Sequence, residues 1–373
     1  MTATAAPTIA KTEFASRIER ARAAMEPRGI DYLLVGPSTD MVYIIDFGVR
    51  QSERMTILVL PREGTARLVL PSFELDRIAS LPPVFEPATW EDGDDPAQLL
   101  ASLLPSRGAG AIVAVGAQLF THFFFKIRDA APDARFVADP ILERLRMRKS
   151  PHELASLRAA SEAADAVFEE LLTLPLVGMT EREVLKEIHR LLIEKGHDTV
   201  GGGIVGAGPN GAAPHHGASD RRIEHGDGVV VDFGGVRANY RSDITRTFHV
   251  GEPTEEFTKV YEIVDEANAA GFDAARAGET AERIDEVTRR VIADAGYGPQ
   301  YLHRTGHGIG LDGHEAPYLV GGDDTVLEEG MTFSVEPGIY LEGRFGVRIE
   351  DIVAVTADGA ERLNKSTHEL QIV

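Results

Sequence analysis

Two aspartates stand among β-branched residues in VVVDFGGVRANYRSDITRTFHVG, residues 229 to 251. Val229, Val230 and Val231 read as one strand, and Ile244, Thr245, Thr247 and Phe248 as a second. Gly234, Gly235 and Asn239 turn the chain between them. This reading places Asp232 and Asp243 inside the strands. A carboxylate there loses hydration, at a cost of several kcal/mol unless something pairs with it. A salt bridge, with Arg241 or Arg246, is one answer. A metal ion is the other.

The chain supplies a second pair. Residues 178 to 196, GMTEREVLKEIHRLLIEKG, and residues 278 to 296, GETAERIDEVTRRVIADAG, share a glycine, a helix-capping threonine, apolar residues at helical spacing and a closing glycine. A long helix precedes each, at 151 to 173 and 254 to 276, and a strand pair follows each. Gly226 precedes Asp232 by six residues, Gly330 precedes Glu336 by six, and Asp243 has its counterpart near Glu350. Helix, helix and hairpin repeated in order imply a duplicated unit whose halves pack about a pseudo-two-fold axis. Asp232, Asp243, Glu336 and Glu350 would then converge and repel one another. Arg348 is the only nearby cation that repeats the pattern. Two divalent metals would offset the four carboxylates in full, which favours the metal answer.

Histidines add to this set. HRTGHGIGLDGHEAP carries His303, His307 and His314, with glycines at 306, 308 and 310 that permit tight backbone paths. GAGPNGAAPHHG carries His215 and His216. A lone histidine is more often structural than a ligand, but three within twelve residues weaken that reading. Gly206, Gly208 and Gly211 spell G-x-G-x-x-G, yet Pro209, Pro214 and Gly217 oppose the helix that dinucleotide binding needs. No P-loop and no G-x-S-x-G elbow are present.

The elements that must position these residues occupy the second part of the chain. A length of 373 residues corresponds to about two domains. Hydrophobic content of 43% is that of a globular protein, and the absence of cysteine excludes disulfides, thiolate metal sites and a cysteine nucleophile. It also fits a reducing, cytoplasmic setting. A net charge of −21 without a basic cluster argues against nucleic acid. MTATAAPTIAKTEF has no basic head before a long apolar run, so no signal peptide is expected. GAGAIVAVGAQLFTHFFF, residues 108 to 125, is interrupted by glycines, Gln118, Thr121 and His122, and reads as a strand and a helix start rather than a membrane span. Residues 14 to 140 alternate helix and strand signals, with RMTILVLP and TARLVLP as antiparallel neighbours. Ser150, Pro151 and Glu153 form a capping box that opens a long helix. The boundary is placed just before it, giving domains 1–145 and 146–373.

These residues resemble the metal-dependent pita-bread peptidases (family M24): methionine aminopeptidase, aminopeptidase P and prolidase, with the related creatinase. DFG, SDITRTF, GHGIGLDGHE, VEPGIY, GVRIED and the PHH of 214 to 216 are similar to the proline-peptidase branch, and MRKSPHEL to its domain junction. The resemblance implies an α/β creatinase-like amino-terminal domain before an α+β pita-bread catalytic domain with internal pseudo-two-fold duplication. It implies Asp232, Asp243, His307, Glu336 and Glu350 as ligands of two metals, with Asp243 and Glu350 bridging. A metal-bridging hydroxide would then hydrolyse the Xaa-Pro bond of short proline-containing peptides. It further implies Glu336 as proton shuttle, His215 and His314 at the carbonyl oxygen, His303 lining the pocket, and Arg348 and Tyr340 orienting the carboxylates. Manganese is expected, with cobalt, iron or zinc as alternatives. A homodimer is expected, with no nucleic-acid or membrane partner. Creatinase-type relatives and metal-free binding relatives lack ligands that this chain keeps. Tyr318 stands where a prolidase is expected to carry a carboxylate-binding arginine, so the choice between dipeptidase and an aminopeptidase P-like or broader activity stays open. A hydrolase or lyase of a small non-peptide metabolite, or a non-catalytic interaction protein, are the competing classes.

Overall fold

The computed structural model describes residues 9–104 and 110–373. The first eight residues of the expected leaderless start, and residues 108 and 109 of the expected strand, lie outside the described residues. The chain divides into two compact units, at Arg146 and Met147.

In the amino-terminal unit, helix Lys11–Met25 runs into a short 3-10 turn closed by Gly29 in the left-handed region at φ 63°. A six-stranded mixed sheet has the spatial order Phe85–Trp90, Ala66–Pro71, Ile57–Pro61, Tyr32–Val35, Ile112–Val115, Arg135–Ala138. Ile57 faces Val69 in the expected antiparallel pair. The apolar run at 108 to 125 contributes the strand Ile112–Val115 and the start of helix Thr121–Ala130. No helix among the described residues is long and apolar enough to cross a membrane.

The second unit repeats itself. Helices α1 (Pro151–Leu171) and α2 (Glu181–Glu194) precede strands β1 (Thr199–Ala207), β2 (Gly228–Arg237) and β3 (Ile244–His249). Helices α3 (Glu255–Ala274) and α4 (Ala281–Asp294) precede β4 (Gly306–Gly308), β5 (Glu315–Leu319), β6 (Thr332–Val335), β7 (Gly338–Leu341), β8 (Phe345–Arg348), β9 (Asp351–Thr356) and β10 (Gly359–Arg362). One antiparallel sheet has β3, β2, β1 in order, with β3 also pairing Gln371–Ile372 in parallel. The other has β5, β4, β6, β9, β10. The single strand pair expected at 331 to 355 is therefore two pairs: β6 joins β9, and the hairpin β7–β8 is inserted between them.

Matching bonds confirm the repeat. Gly178 N donates to Ile223 O, and Gly278 N to Leu327 O, both at 2.9 Å. Val250 N donates to Asp227 O, and Val355 N to Met331 O, also at 2.9 Å. Gly226 and Gly330 both lie in the left-handed region, at φ 92° and 87°.

Strand alternation aims the carboxylates. Val229, Val231 and Phe233 enter the core with Val184, Ile188 and Leu191 of α2. Phe333 and Val335 enter another with Ile284 of α4. With a side-chain period of two, Asp232, Ser334 and Glu336 must face away from those helices. The G-x-G-x-x-G glycines serve packing: a Cβ on Gly346 would lie 2.0 Å from Gly211 O, and one on Gly211 3.1 Å from Gly206 O.

Candidate metal centre

Asp232 lies mid-strand on β2, opposite Thr245 and Ile204. Asp243 is the residue before β3, not inside it as expected, because the ladder with β2 begins at Ile244. Glu336 follows β6, Glu350 separates β8 from β9, and His307 is the middle residue of β4. One ligand atom each from Asp243, His307 and Glu350 lies within 4.8 Å of the others. His307 Nε2 is 3.3 Å from Glu336 Oε1. Asp232 adds its charge to those raising Asp243, Glu336 and Glu350. The structure thus brings all five residues together.

Neither arginine weighed for a salt bridge takes that part. Arg246 pairs with Asp351 at 2.7 Å, and Arg241 Nε reaches the Leu311 carbonyl at 3.4 Å. Asp232 instead accepts from Arg348 Nη2 at 2.6 Å. The β2–β3 and β6–β9 registers also make Thr245, rather than Asp243, the structural twin of Glu350. The two pair across the halves: Glu350 N donates to Thr245 O at 3.0 Å, and Thr245 Oγ1 to Glu350 Oε2 at 2.7 Å.

The electrostatics are those of buried carboxylates crowded together. Burial raises Asp243 well above the usual carboxylate range, and the charges of Asp232 and Glu336 add to it. Burial, Asp243 and Glu336 do the same to Glu350. Burial pushes Glu336 up to about 7; Arg348 opposes this and Asp232 reinforces it. Burial, then His314, brings His307 down to about 3. Its Nδ1 lies 3.1 Å from the Gly308 carbonyl. With the proton there, the unprotonated Nε2 turns its lone pair toward the space among the carboxylates, where a metal ion would accept it. Hard oxygen donors with one neutral imidazole fit divalent metal ions.

A chain of hydrogen bonds backs Asp232. Arg348 Nη1 donates to Tyr340 Oη at 2.8 Å, and Tyr340 Oη lies 2.7 Å from His303 Nε2. Burial pushes Tyr340 up to about 12 and keeps it protonated. Burial, then Arg348, lowers His303 to about 4. His303 Nδ1 faces the Arg304 carbonyl at 2.8 Å, so its ring is held on both sides.

His314 is exposed, and its ring stacks 3.8 Å from that of His307. Desolvation, then Arg304, lowers its affinity for a proton. It also lines a cavity of about 240 Å³ with Gly201, Ile204, Asp232 and Asp243. His215 is exposed, and its nearness helps to lower the proton affinity of both His303 and His314. His216 turns away to Glu181, at 2.7 Å.

Tyr318 pairs with His307 across β4 and β5. The residue that sequence reasoning missed is Arg304. Its Cζ lies 4.6 Å from the Tyr318 ring centroid, and its Nη2 3.3 Å from His314 Nδ1. Among the described residues it has no acidic partner. The signal was an arginine beside His303, but strand pairing, not sequence distance, brings it to Tyr318.

Residues 155–357 match Metallopeptidase family M24, and residues 17–148 match the Creatinase/Prolidase N-terminal domain. Fold and site together define a two-domain metallopeptidase of the pita-bread type. The chain belongs to metallopeptidase family M24. It is 42% identical to a probable dipeptidase PepE of Mycobacterium tuberculosis over 96% of both chains. It is 34% identical to an Xaa-Pro dipeptidase of Lactobacillus delbrueckii subsp. lactis, over 94% of this chain and 96% of that one. The crystal structure of dipeptidase PepE from Mycobacterium ulcerans superposes with a TM-score of 0.92 at 41% identity, covering 98% of this chain and all (100%) of that one. Recombinant prolidase from Thermococcus sibiricus gives 0.91 at 35% identity, with 98% and 100% coverage.

Proposed function

We propose that this chain is a metal-dependent dipeptidase acting on the Xaa-Pro bond. The observation that carries hydrolysis is the convergence of Asp243, His307 and Glu350 within 4.8 Å, with Asp232 and Glu336 beside them. Asp232 would hold one metal, His307 and Glu336 the other, and Asp243 and Glu350 both. When bound, such ions polarise a carbonyl and bring the pKa of water to about 7, which supplies the nucleophile. Four carboxylates to one imidazole suit manganese, cobalt, iron or zinc alike, and the choice of manganese rests on the family resemblance alone.

The side chains do the rest. Glu336 can hold the proton that the attacking water releases and pass it to the proline nitrogen as the C–N bond breaks. His215 and His314 face the carbonyl oxygen and donate to it as it gains charge. Arg348 and Tyr340 keep Asp232 in place.

Arg304 narrows the substrate. Its guanidinium is stiffened by the Tyr318 ring and has no acid of its own among the described residues. A guanidinium grips a carboxylate through two charge-assisted bonds. In a dipeptide the free carboxylate is only three bonds from the scissile carbon, so it falls beside Arg304 while the carbonyl meets the centre. On this reading the open choice left by Tyr318 falls to the dipeptidase: the arginine comes from the segment just before β4, not from the residues after His314–Pro317. The names of the relatives support the same choice. A cytoplasmic homodimer, and a domain boundary at 145/146, complete the proposal; the lack of cysteine supports the cytoplasm, the family resemblance the dimer, and the division at Arg146 the boundary. Steady-state kinetics on Xaa-Pro dipeptides, their carboxamides and Xaa-Pro-Yaa tripeptides test it. A dipeptide preference of at least about tenfold is expected from a charged hydrogen bond. Equal rates on all three would remove the carboxylate clamp.

A further inference from the structure

Glu181 carries a carboxylate whose side chain is fully buried, 0% exposed, at the first position of α2. It accepts from five donors. Ala207 N and Asn210 Nδ2 reach Oε1 at 2.9 Å each. His216 Nε2, Ser219 N and Ser219 Oγ reach Oε2 at 2.7, 2.9 and 2.6 Å. A carboxylate offers about four lone-pair sites, so this one is saturated. Against the pull of burial, these donors hold its pKa below the usual range.

The donors surround His215. They come from the end of β1, from the 3-10 turn Gly208–Ala212, and from the residues just beyond His215. The loop touches the metal centre through the Pro214 carbonyl, which accepts from Arg348 Nη1 at 3.3 Å.

The duplication provides a control. Ala281 holds the same place at the start of α4 and is equally buried. Glu181 N donates to Arg221 O and Ala281 N to Thr325 O, both at 3.0 Å. The helix start and its backbone contact thus form without a carboxylate. A buried charge is costly, and here it serves only the loop.

We propose that Glu181 is a positioning residue, whose carboxylate fixes the loop of residues 207 to 219 and so aims His215 at the reacting carbonyl. The activity arm of its test rests on the peptidase reading; the exchange arm does not. A double-mutant cycle on Glu181→Ala and His215→Ala is read on an Xaa-Pro dipeptide, with hydrogen exchange on the same proteins. Glu181→Ala should lower kcat about tenfold with KM changed less than about twofold, and should cost nothing more in the His215→Ala background. Amide exchange over 208 to 219 should accelerate at least about tenfold while α2 keeps its protection. His216→Gln, which retains a donor, should recover most of the kcat that His216→Ala loses. Additive losses, or unchanged exchange at 208 to 219, would overturn the proposal. Accelerated exchange in a protein that cleaves no Xaa-Pro peptide would leave the positioning standing and sink the peptidase reading alone. Should Glu181→Ala fail to fold, His216→Ala and Ser219→Ala carry the same two readouts.

Discussion

The two halves of the catalytic unit share a scaffold and divide the chemistry. Both have a long helix, a fourteen-residue helix and an antiparallel strand pair entered from a left-handed glycine. The first half gives the centre Asp232, Asp243 and the loop of His215. The second gives His307, Glu336 and Glu350, together with Arg348, Tyr340, His303 and Arg304. The matched positions Asp232 and Glu336 are both acidic, but Glu350 is matched by Thr245, and Glu181 by Ala281. The difference teaches that the duplication sets where carboxylates can converge, while departures from symmetry supply the imidazole, the guanidinium and the anchored loop.

The sharpest way to break this comparison is at its twin ligands. Asp232→Asn and Glu336→Gln should each lower kcat/KM by about a thousandfold or more, since each removes a charge from one shared centre. If one variant keeps substantial activity, the two halves are not equal contributors. Next is Arg304. Arg304→Ala should cost about a hundredfold in kcat/KM on Xaa-Pro dipeptides, the worth of a bidentate charged contact, and little on their carboxamides. Equal losses on both substrates would place Arg304 in general support of the site.

His215→Ala should lower kcat by about ten- to a hundredfold, more than His216→Ala, because of these two the proposal sets His215 alone against developing charge. The reverse order would exchange their roles. His216 is not a bystander, however: its bond to Glu181 gives it a measurable share of the loss.

Much of the centre was legible because carboxylates among strand residues are conspicuous, and the repeat of Gly226 and Gly330 matched Glu336 to Asp232, though not Glu350 to Asp243. The capping box at Ser150 is present, with Ser150 N donating to Glu153 Oε2 at 2.8 Å. What escaped depends on registers that pattern alone does not specify. Thr245 opposes Glu350 because of where β3 and β9 begin. Arg304 meets Tyr318 because β4 pairs with β5. Arg246, a neighbour of Asp243 in sequence, points to Asp351 because side chains alternate along β3.

Smaller effects sharpen the contrast between Glu181 and Ala281. The pKa of Glu181 is lowered on folding, so its contribution is complete above the unfolded carboxylate value of about 4.3 and is lost as pH falls through the lower folded value. Urea unfolding should therefore show the stability gap between parent and Glu181→Ala narrowing as pH drops below about 4. A gap independent of pH would mean that packing, not charge, is at stake. The helix starts differ least. Thr180 and Glu183 form a reciprocal capping box, with bonds at 2.8 and 3.2 Å. Thr280 makes no side-chain cap: Arg283 N donates to the Thr280 carbonyl at 3.1 Å, and Arg283 stands where Glu183 completes the box in the first half. Glu183→Ala should cost about 0.5–1 kcal/mol in unfolding experiments, and Arg283→Ala close to none.

The central claim is that both halves build one centre for two divalent ions. Metal content by elemental analysis, taken with activity on an Xaa-Pro dipeptide before chelation, after it and after manganese is restored, tests this most directly. The account predicts about two ions per chain in the active protein, loss of activity on chelation and recovery when manganese returns. Full activity in metal-free protein would contradict it.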